Sequence, residues 1–545
     1  MPYKLSISSW KAFPFLILLV FIAPVLIVLS SLFGDYSENW SHLYNYVLFD
    51  YVSNSILLIL GVIFLVLIIG LSTSWLVTNY SFYGKEFLEW ALILPLSIPP
   101  YILAYTFTGL FDTTGTANNL SREILNLGQD FVLFPNVRNI YGAILVFSFT
   151  LYPYVYLVSR TAFMNQSRSM LEAGRVLGLS QFQTFYKLSL PIIRPAIIGG
   201  LMLVIMETLS DFGAVDHFAI QTFTTGIFRT WYGLYDLNTA MQLASLLLIF
   251  VGVFYLLERY SRSETEYTST SSTFRPTKEI ELKGLKSSLA FFVCFFPIFI
   301  GFLLPVSELA VWAFSSNLGF FNEKFYTTTF NTIYLALFSA LLCATLALLI
   351  NYSIRFTKSR FSNFLSSLLS IGYAVPGLIL AVGIVQLLAW LDNKVLLELE
   401  IVLTGSIIGL IFAYLIKSYA LANSTFESGF KRISPSLDDS ARILNSSGWS
   451  MLLRVHFPLL KTSFLTSLLL VTSEVVKELP ATLILRPFNF DTLAVSTYLY
   501  AAEERMFLAA APAIAIVAIG LIPIIILTRM IKSSRPTTNK GGYDS

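Results

Sequence analysis

Apolar runs of about 20 residues, the length that carries a helix across the hydrocarbon core of a bilayer, recur along this 545-residue chain. Twelve are predicted, over residues 12–34, 52–79, 87–111, 140–162, 193–214, 240–258, 288–313, 330–353, 363–391, 400–423, 460–485 and 507–529. The pattern predicts an all-α, polytopic membrane protein. It also divides in two, with six runs on each side of a polar stretch. That stretch contains Ser261-Arg262-Ser263-Glu264-Thr265 and Thr268-Ser269-Thr270-Ser271-Ser272-Thr273. It is too poor in apolar surface to build a core and reads as a flexible linker. The expected organisation is a first repeat at 1–258, a linker at 259–287, a second repeat at 288–530 and a polar tail at 531–545. The first run is longer than a typical signal-peptide core and lacks a convincing small-x-small site before Gly34, so it reads as an uncleaved span.

The halves match in detail. Asn54-Ser55 and Asn331-Thr332 open corresponding spans, and Pro99 and Pro376 interrupt the next ones; each pair is 277 residues apart. Beyond residues 112–139 the offset falls to 267, which places about ten extra residues in that loop of the first half. At this second offset lie two polar islands. Glu172-Ala173-Gly174-Arg175-Val176-Leu177-Gly178 leads to Leu190-Pro191, and Asp439-Ser440-Ala441-Arg442-Ile443-Leu444-Asn445 leads to Phe457-Pro458. In each, an acid is followed by a residue that tolerates a left-handed turn, Gly178 or Asn445. One such island could be an ordinary solvated loop. Two at one offset, with equal internal spacing, read as paired docking segments for a soluble partner. Equal span counts and a cytoplasmic linker make the halves parallel repeats, related by an axis along the membrane normal.

Charge assigns the sides. Most Lys and Arg fall on the face that carries both termini, the linker and both docking segments, Lys417 being counted among them. Only Arg122, Arg138, Arg229, Lys324, Lys394, Arg486 and Arg505 fall in the opposite loops, and Lys477 lies within a span. The asymmetry predicts that both termini are cytoplasmic. Residues of the AVILMFWYC set make up 56% of the chain and charged residues 12%, too little charge to cover a soluble protein of this length. A net charge of +3 carries no nucleic-acid signal. Cys294 and Cys343 sit in apolar runs, and His42, His217 and His456 have no ligand spacing, so neither a disulfide framework nor a zinc site is expected. No phosphate-binding Gly-x-x-x-x-Gly-Lys-Ser/Thr loop is present, so any ATP-Mg belongs to another chain. No cofactor is expected on this one.

The spans after the docking segments carry acids. Glu207 and Asp211 lie in one and Glu474 and Glu478 in the other, again 267 apart. A spacing of four puts each pair on one helix face. Carboxylates in a bilayer are costly and face water or partners, which makes function the first hypothesis. The alternative is hydrogen bonding to nearby loops near the end of the span, with Lys477 neutralising part of the second pair. Pro95, Pro99, Pro100 and Pro376 are expected to break spans.

The first docking segment resembles the EAA loop of ABC importer permeases. Glu172, Ala173 and Gly178 stand where that motif has Glu, Ala and Gly, and Gly174 replaces the second Ala. The second is degenerate, with Asp439, Ser440 and Asn445 at the Glu, first Ala and Gly positions and Ala441 between them. The stretches Glu207–Val215, Phe223–Trp231 and Lys477–Ala494 resemble the fused ferric-iron permeases of bacterial importers. The resemblance implies a type I importer permease fold in the inner membrane. It also implies two copies of an ABC ATPase gripping the docking segments, a periplasmic iron-binding protein and Fe(III) as cargo. The permease itself would be no enzyme. A hard cation suits oxygen ligands, so Glu207, Asp211, Glu474 and Glu478 are the expected cargo path and transient metal ligands. The same acids would suit thiamine or a polyamine; they argue against sulfate and molybdate. A gradient-driven carrier, with the acids as proton or Na⁺ sites, has no need of paired docking segments.

Overall fold

The computed structural model describes residues 7–126, 128, 130–166, 176, 178–263, 279–315, 322–357, 360–446 and 448–533. The first half comprises α1 (Ile7–Ser30), α2 (Leu48–Asn79), β1 (Tyr80–Ser81), α3 (Lys85–Ala91), α4 (Pro100–Phe111), α5 (Thr116–Leu125), α6 (Ile140–Met164), α7 (Leu190–Ser210), α8 (Gly213–His217), α9 (Phe223–Phe228) and α10 (Leu237–Ser263). The second comprises β2 (Ile280–Glu281), α11 (Leu285–Ile298), α12 (Leu304–Ser315), α13 (Glu323–Thr357), α14 (Arg360–Ser370), α15 (Gly377–Lys394), α16 (Ile407–Lys431), α17 (Pro435–Ile443), α18 (Lys461–Lys477), α19 (Pro480–Leu485), α20 (Leu493–Ala502) and α21 (Met506–Ser533). Among the described residues ten helices are long and apolar enough to cross a membrane, or up to twelve if each of two bent pairs counts as one span.

Three of the breaks fall at prolines. Proline has no N–H to donate and disfavours helix in the residue before it. The chain bends by 92° between Lys85–Ser97 and Pro100–Leu125. Pro99 is the extended residue before α4, and Pro376 holds the same place before α15. The third and ninth predicted spans are therefore interrupted helices. So is the eleventh, expected at 460–485, where α18 stops at Lys477 and α19 begins at Pro480. Asn54 and Asn331 also act alike. The side-chain amide of Asn54 donates to the Gln221 carbonyl at 3.0 Å, and that of Asn331 to the Asp491 carbonyl at 3.2 Å.

Small residues bring helices close where water supplies no driving force. A Cβ on Gly61 of α2 would lie 2.4 Å from Ile144 of α6, and one on Gly70 would lie 2.9 Å from Val155. The first span of each half packs against the other half. Trp10 of α1 meets Tyr352 of α13 edge-on with centroids 5.1 Å apart, its carbonyl accepts from the Ser353 hydroxyl, and Phe21 packs on Tyr419 of α16. Reciprocally, Trp312 of α12 fills the space beside Gly109 of α4, and Glu308 accepts from the Thr116 hydroxyl at 2.5 Å.

The linker is more structured at its ends than its composition predicts. At its start, α10 continues to Ser263. At its end, β2 pairs in parallel with β1, Tyr80 opposite Ile280, and Leu282 N donates to the Ser81 carbonyl at 2.9 Å. An ion pair from Lys85 Nζ to Glu279 at 2.5 Å reinforces this strap. Ile280 and Leu282, with Leu285 at the start of α11, supply apolar positions that a Ser/Thr reading of the whole stretch overlooks.

Candidate functional site

The breaks before α4 and after α7 and α18 meet between the halves around a small cavity of about 80 Å³. Its wall includes all four acids, Glu207, Asp211, Glu474 and Glu478, together with Lys417, Lys477, Tyr101 and Tyr154. The two-fold related carboxylates thus converge, but they are not equivalent in role. Asp211 ends α7 and accepts from Ala214 N at 2.8 Å, at the start of α8. Glu478 ends α18 and accepts from Ala481 N at 3.0 Å, Thr482 N at 2.9 Å and the Thr482 hydroxyl at 2.6 Å, at the start of α19. Each satisfies N–H groups that a helix start leaves without partners, as an N-cap carboxylate does. These two acids are held by the broken spans themselves.

Glu207 and Glu474 sit one turn earlier and carry no such cap. Glu207 Oε1 accepts from the Tyr373 hydroxyl at 2.8 Å, across the interface between halves. Glu474 Oε2 lies 3.7 Å from Lys477 Nζ. Lys417 corrects the sequence reading, which counted it among the residues of the docking face. It lies within α16, with Nζ 3.6 Å from Glu478 Oε1 and within electrostatic reach of Glu207 and Glu474. A charge inside the apolar run Tyr414-Leu415-Ile416-Lys417 was the signal, since an ionisable residue at membrane depth faces a partner. Lysines therefore offset part of the acidic charge. Among the described residues no three His, Cys, Asp or Glu side chains are grouped to hold a metal ion. The expected four-carboxylate metal set is not assembled in this conformation, because capping holds Asp211 and Glu478 at the helix starts. What remains is a mixed-charge constriction in which Glu207 and Glu474 are the acids not committed to caps.

Of the docking residues, Glu172, Ala173 and Gly174 lie outside the described residues. Gly178 is exposed with φ +74°, and its counterpart Asn445 has φ +63°, so both copies turn through the left-handed region. The second copy is α17, which starts with Ser434 accepting from Ser436 N and Pro435 in the first turn. Asp439 and Ser440 point to solvent and Ala441 is buried. The acid that anchors the helix is the neighbour that sequence reasoning passed over. Asp438 is buried and takes a forked pair of bonds from Arg355 of α13, Nε at 2.8 Å and NH2 at 3.1 Å. Arg355 NH1 also donates to the Phe430 carbonyl at 2.8 Å and NH2 to the Ile433 carbonyl at 3.0 Å. In the first half Thr78 and Leu171 stand at the positions of Arg355 and Asp438, so this clamp belongs to the second half alone. A second missed feature is apolar. Ile443 is 84% exposed and Val176, its counterpart at the 267 offset, is 87% exposed. A pair of uncovered β-branched side chains at equivalent positions suits insertion into a cleft on another protein.

The family model described as "binding-protein-dependent transport system inner membrane component" matches this chain twice, at residues 67–259 and 343–535. The Fe(3+)-transport system permease protein FbpB 2 of Haemophilus influenzae is 24% identical over 88% of this chain and 90% of its own length. The ferric transport system permease protein FbpB of Actinobacillus pleuropneumoniae is 24% identical over 82% of this chain and 66% of its own. The sulfate transport system permease protein CysT of Salmonella typhimurium is 28% identical over 27% of this chain and 50% of its own.

Proposed function

The chain belongs to the family of binding-protein-dependent transport system inner membrane components, and on that premise we propose that it is the fused, two-repeat permease of an ATP-driven importer that moves ferric iron into the cytoplasm. The observation that carries the cargo is that two relatives named for ferric transport align along most of the chain, through both halves. Both termini and both docking segments face the cytoplasm, on the charge asymmetry of the loops. A periplasmic iron-binding protein delivers cargo to the opposite face. Two copies of an ATPase bind ATP-Mg and seat Val176 and Ile443, with the turns at Gly178 and Asn445, in matching clefts. Closure of that ATPase pair draws the docking segments together and rocks the halves about the constriction. Glu207 and Glu474, on opposite sides of the pseudo-two-fold axis, then line the opened path for the cation, and hydrolysis resets it. This chain binds no cofactor of its own.

Reconstitution tests the reading. The purified chain alone is expected to hydrolyse no ATP. In proteoliposomes with its ATPase and its binding protein it is expected to accumulate Fe(III) and not thiamine or spermidine when ATP is supplied to the ATPase face. Thiamine or polyamine accumulation in place of iron would refute the cargo. Gly178→Trp is expected to lower coupled transport at least about tenfold, about 1.4 kcal/mol on the barrier, while membrane insertion survives. Among the described residues nothing lies within 4 Å of its Cβ position, so the loss would come from the ATPase cleft together with strain at positive φ. Asn445→Trp is expected to do less if the second segment docks less tightly. Full transport by Gly178→Trp would contradict the docking assignment.

A further inference from the structure

Beyond the constriction, towards the face opposite the docking segments, α4 meets α8 and α20 in a second polar cluster. Tyr101 and Tyr105 lie one turn apart on α4 with ring centroids 5.8 Å apart. Tyr105 meets the His217 ring at 4.6 Å, and His217 Nε2 is 2.9 Å from the Thr108 hydroxyl. On α20, Tyr498 donates to Asp216 Oδ2 at 2.9 Å, while Arg229, half exposed, stands 4.0 Å from the other Asp216 oxygen.

Two observations separate this cluster from ordinary packing. Tyr105 is 3% exposed, yet among the described residues its hydroxyl has no hydrogen-bond partner. A buried, unmet hydroxyl is destabilising, and phenylalanine would avoid that cost. Oxygen-bearing groups within electrostatic reach of Tyr105 include Tyr101, Tyr498, Asp211 and Asp216. The second observation is the repeat itself. At the positions of Tyr101, Tyr105, Asp216 and His217, the other half has Leu378, Val382, Leu483 and Ile484. At these four positions the fold is built from aliphatic side chains, so it does not demand the polar groups there.

We propose that Tyr105, Tyr498 and Asp216, with His217 beside them, form a transient ferric subsite at the mouth of the path, through which the ion passes between the binding protein and the constriction. The inference rests on the ferric reading above. Two phenolates and one carboxylate supply three negative charges for a triply charged, hard cation. Each phenol that binds iron releases its proton to solvent, Tyr498 gives up its bond to Asp216, and the iron keeps its oxidation state. Arg229 holds Asp216 while the subsite is empty and yields it to the stronger charge.

The test uses the full transporter in detergent and in proteoliposomes, with Fe(III) nitrilotriacetate as the probe. Iron bound to phenolate gives a visible charge-transfer band. The parent is expected to show it, Tyr105→Phe and Tyr498→Phe to lose most of it, and a control, Tyr334→Phe on the exposed face of α13, to keep it. Iron accumulation is expected to fall about fivefold or more in the first two variants. Tyr105→Phe removes only an unpartnered oxygen, so its melting temperature is expected to hold or rise, which separates a ligand from a structural group. Iron transport by the parent without the band, or parental transport by Tyr105→Phe, would overturn the subsite and leave the ferric reading standing. Absence of iron transport in the parent, with another cargo carried instead, would overturn the ferric reading and the subsite with it.

Discussion

Replacing Glu478 with alanine is expected to destabilise the protein by about 3–5 kcal/mol, the cost of breaking a buried ion pair from one side. The change leaves the Lys417 ammonium at membrane depth without its nearest carboxylate and uncovers Ala481 N and Thr482 N at the start of α19. Glu478→Gln keeps one acceptor for those N–H groups and removes only the charge, so its effect should be smaller. Asp211→Asn is expected to cost about 1 kcal/mol or less, because the amide oxygen still accepts from Ala214 N. Thermal unfolding in detergent, followed by size-exclusion monodispersity, ranks the three. If Glu478→Ala melts with the parent, the capping role is wrong and both acids return to the cargo path.

The converse result is expected one turn earlier. Glu207→Gln combined with Glu474→Gln is expected to leave the melting temperature within a few degrees of the parent and to lower iron uptake at least about tenfold, about 1.4 kcal/mol on the barrier. Glutamine keeps the shape of each side chain and can still accept from Tyr373, but it removes the charge a cation would meet. ATPase association, measured by co-purification, should be unaffected. Unchanged uptake would end the cargo-path role of these two residues, and a large loss of stability would make them structural like their neighbours.

Much of this arrangement is legible in the sequence because repetition amplifies weak signals. Pro99 with Pro376 and Asn54 with Asn331 occupy equivalent places in the structure, as their common offset implies. The acid pairs recur too, yet offset and four-residue spacing assume a continuous helix. The helix in fact ends at Asp211 and Glu478, and an acid at a helix end is a cap rather than a face. Periodicity cannot report where an apolar helix stops when the next short helix, Pro480–Leu485, is equally apolar. Lys417 was misassigned for a related reason, since counting charges by side overlooks a basic residue whose partner comes from another span. In the docking segment the repeat offset and the motif resemblance favour Asp439, and only tertiary contact with Arg355 shows that Asp438 is the anchor. The strap between β1 and β2 joins segments two hundred residues apart and has no local signature beyond three apolar positions.

The exchanged first spans also set a timetable for synthesis. Trp10 finds its hydrogen-bonded neighbour Ser353 only 343 residues later. At about 5–20 residues per second, α1 would wait in the bilayer for roughly 20–70 s before α13 and α16 emerge to receive it. During that interval Trp10 and Phe21 are covered by lipid alone. The first span would therefore be inserted early and docked late, so the newborn chain passes through a stage in which one helix is open to capture by another membrane protein or by quality-control proteases.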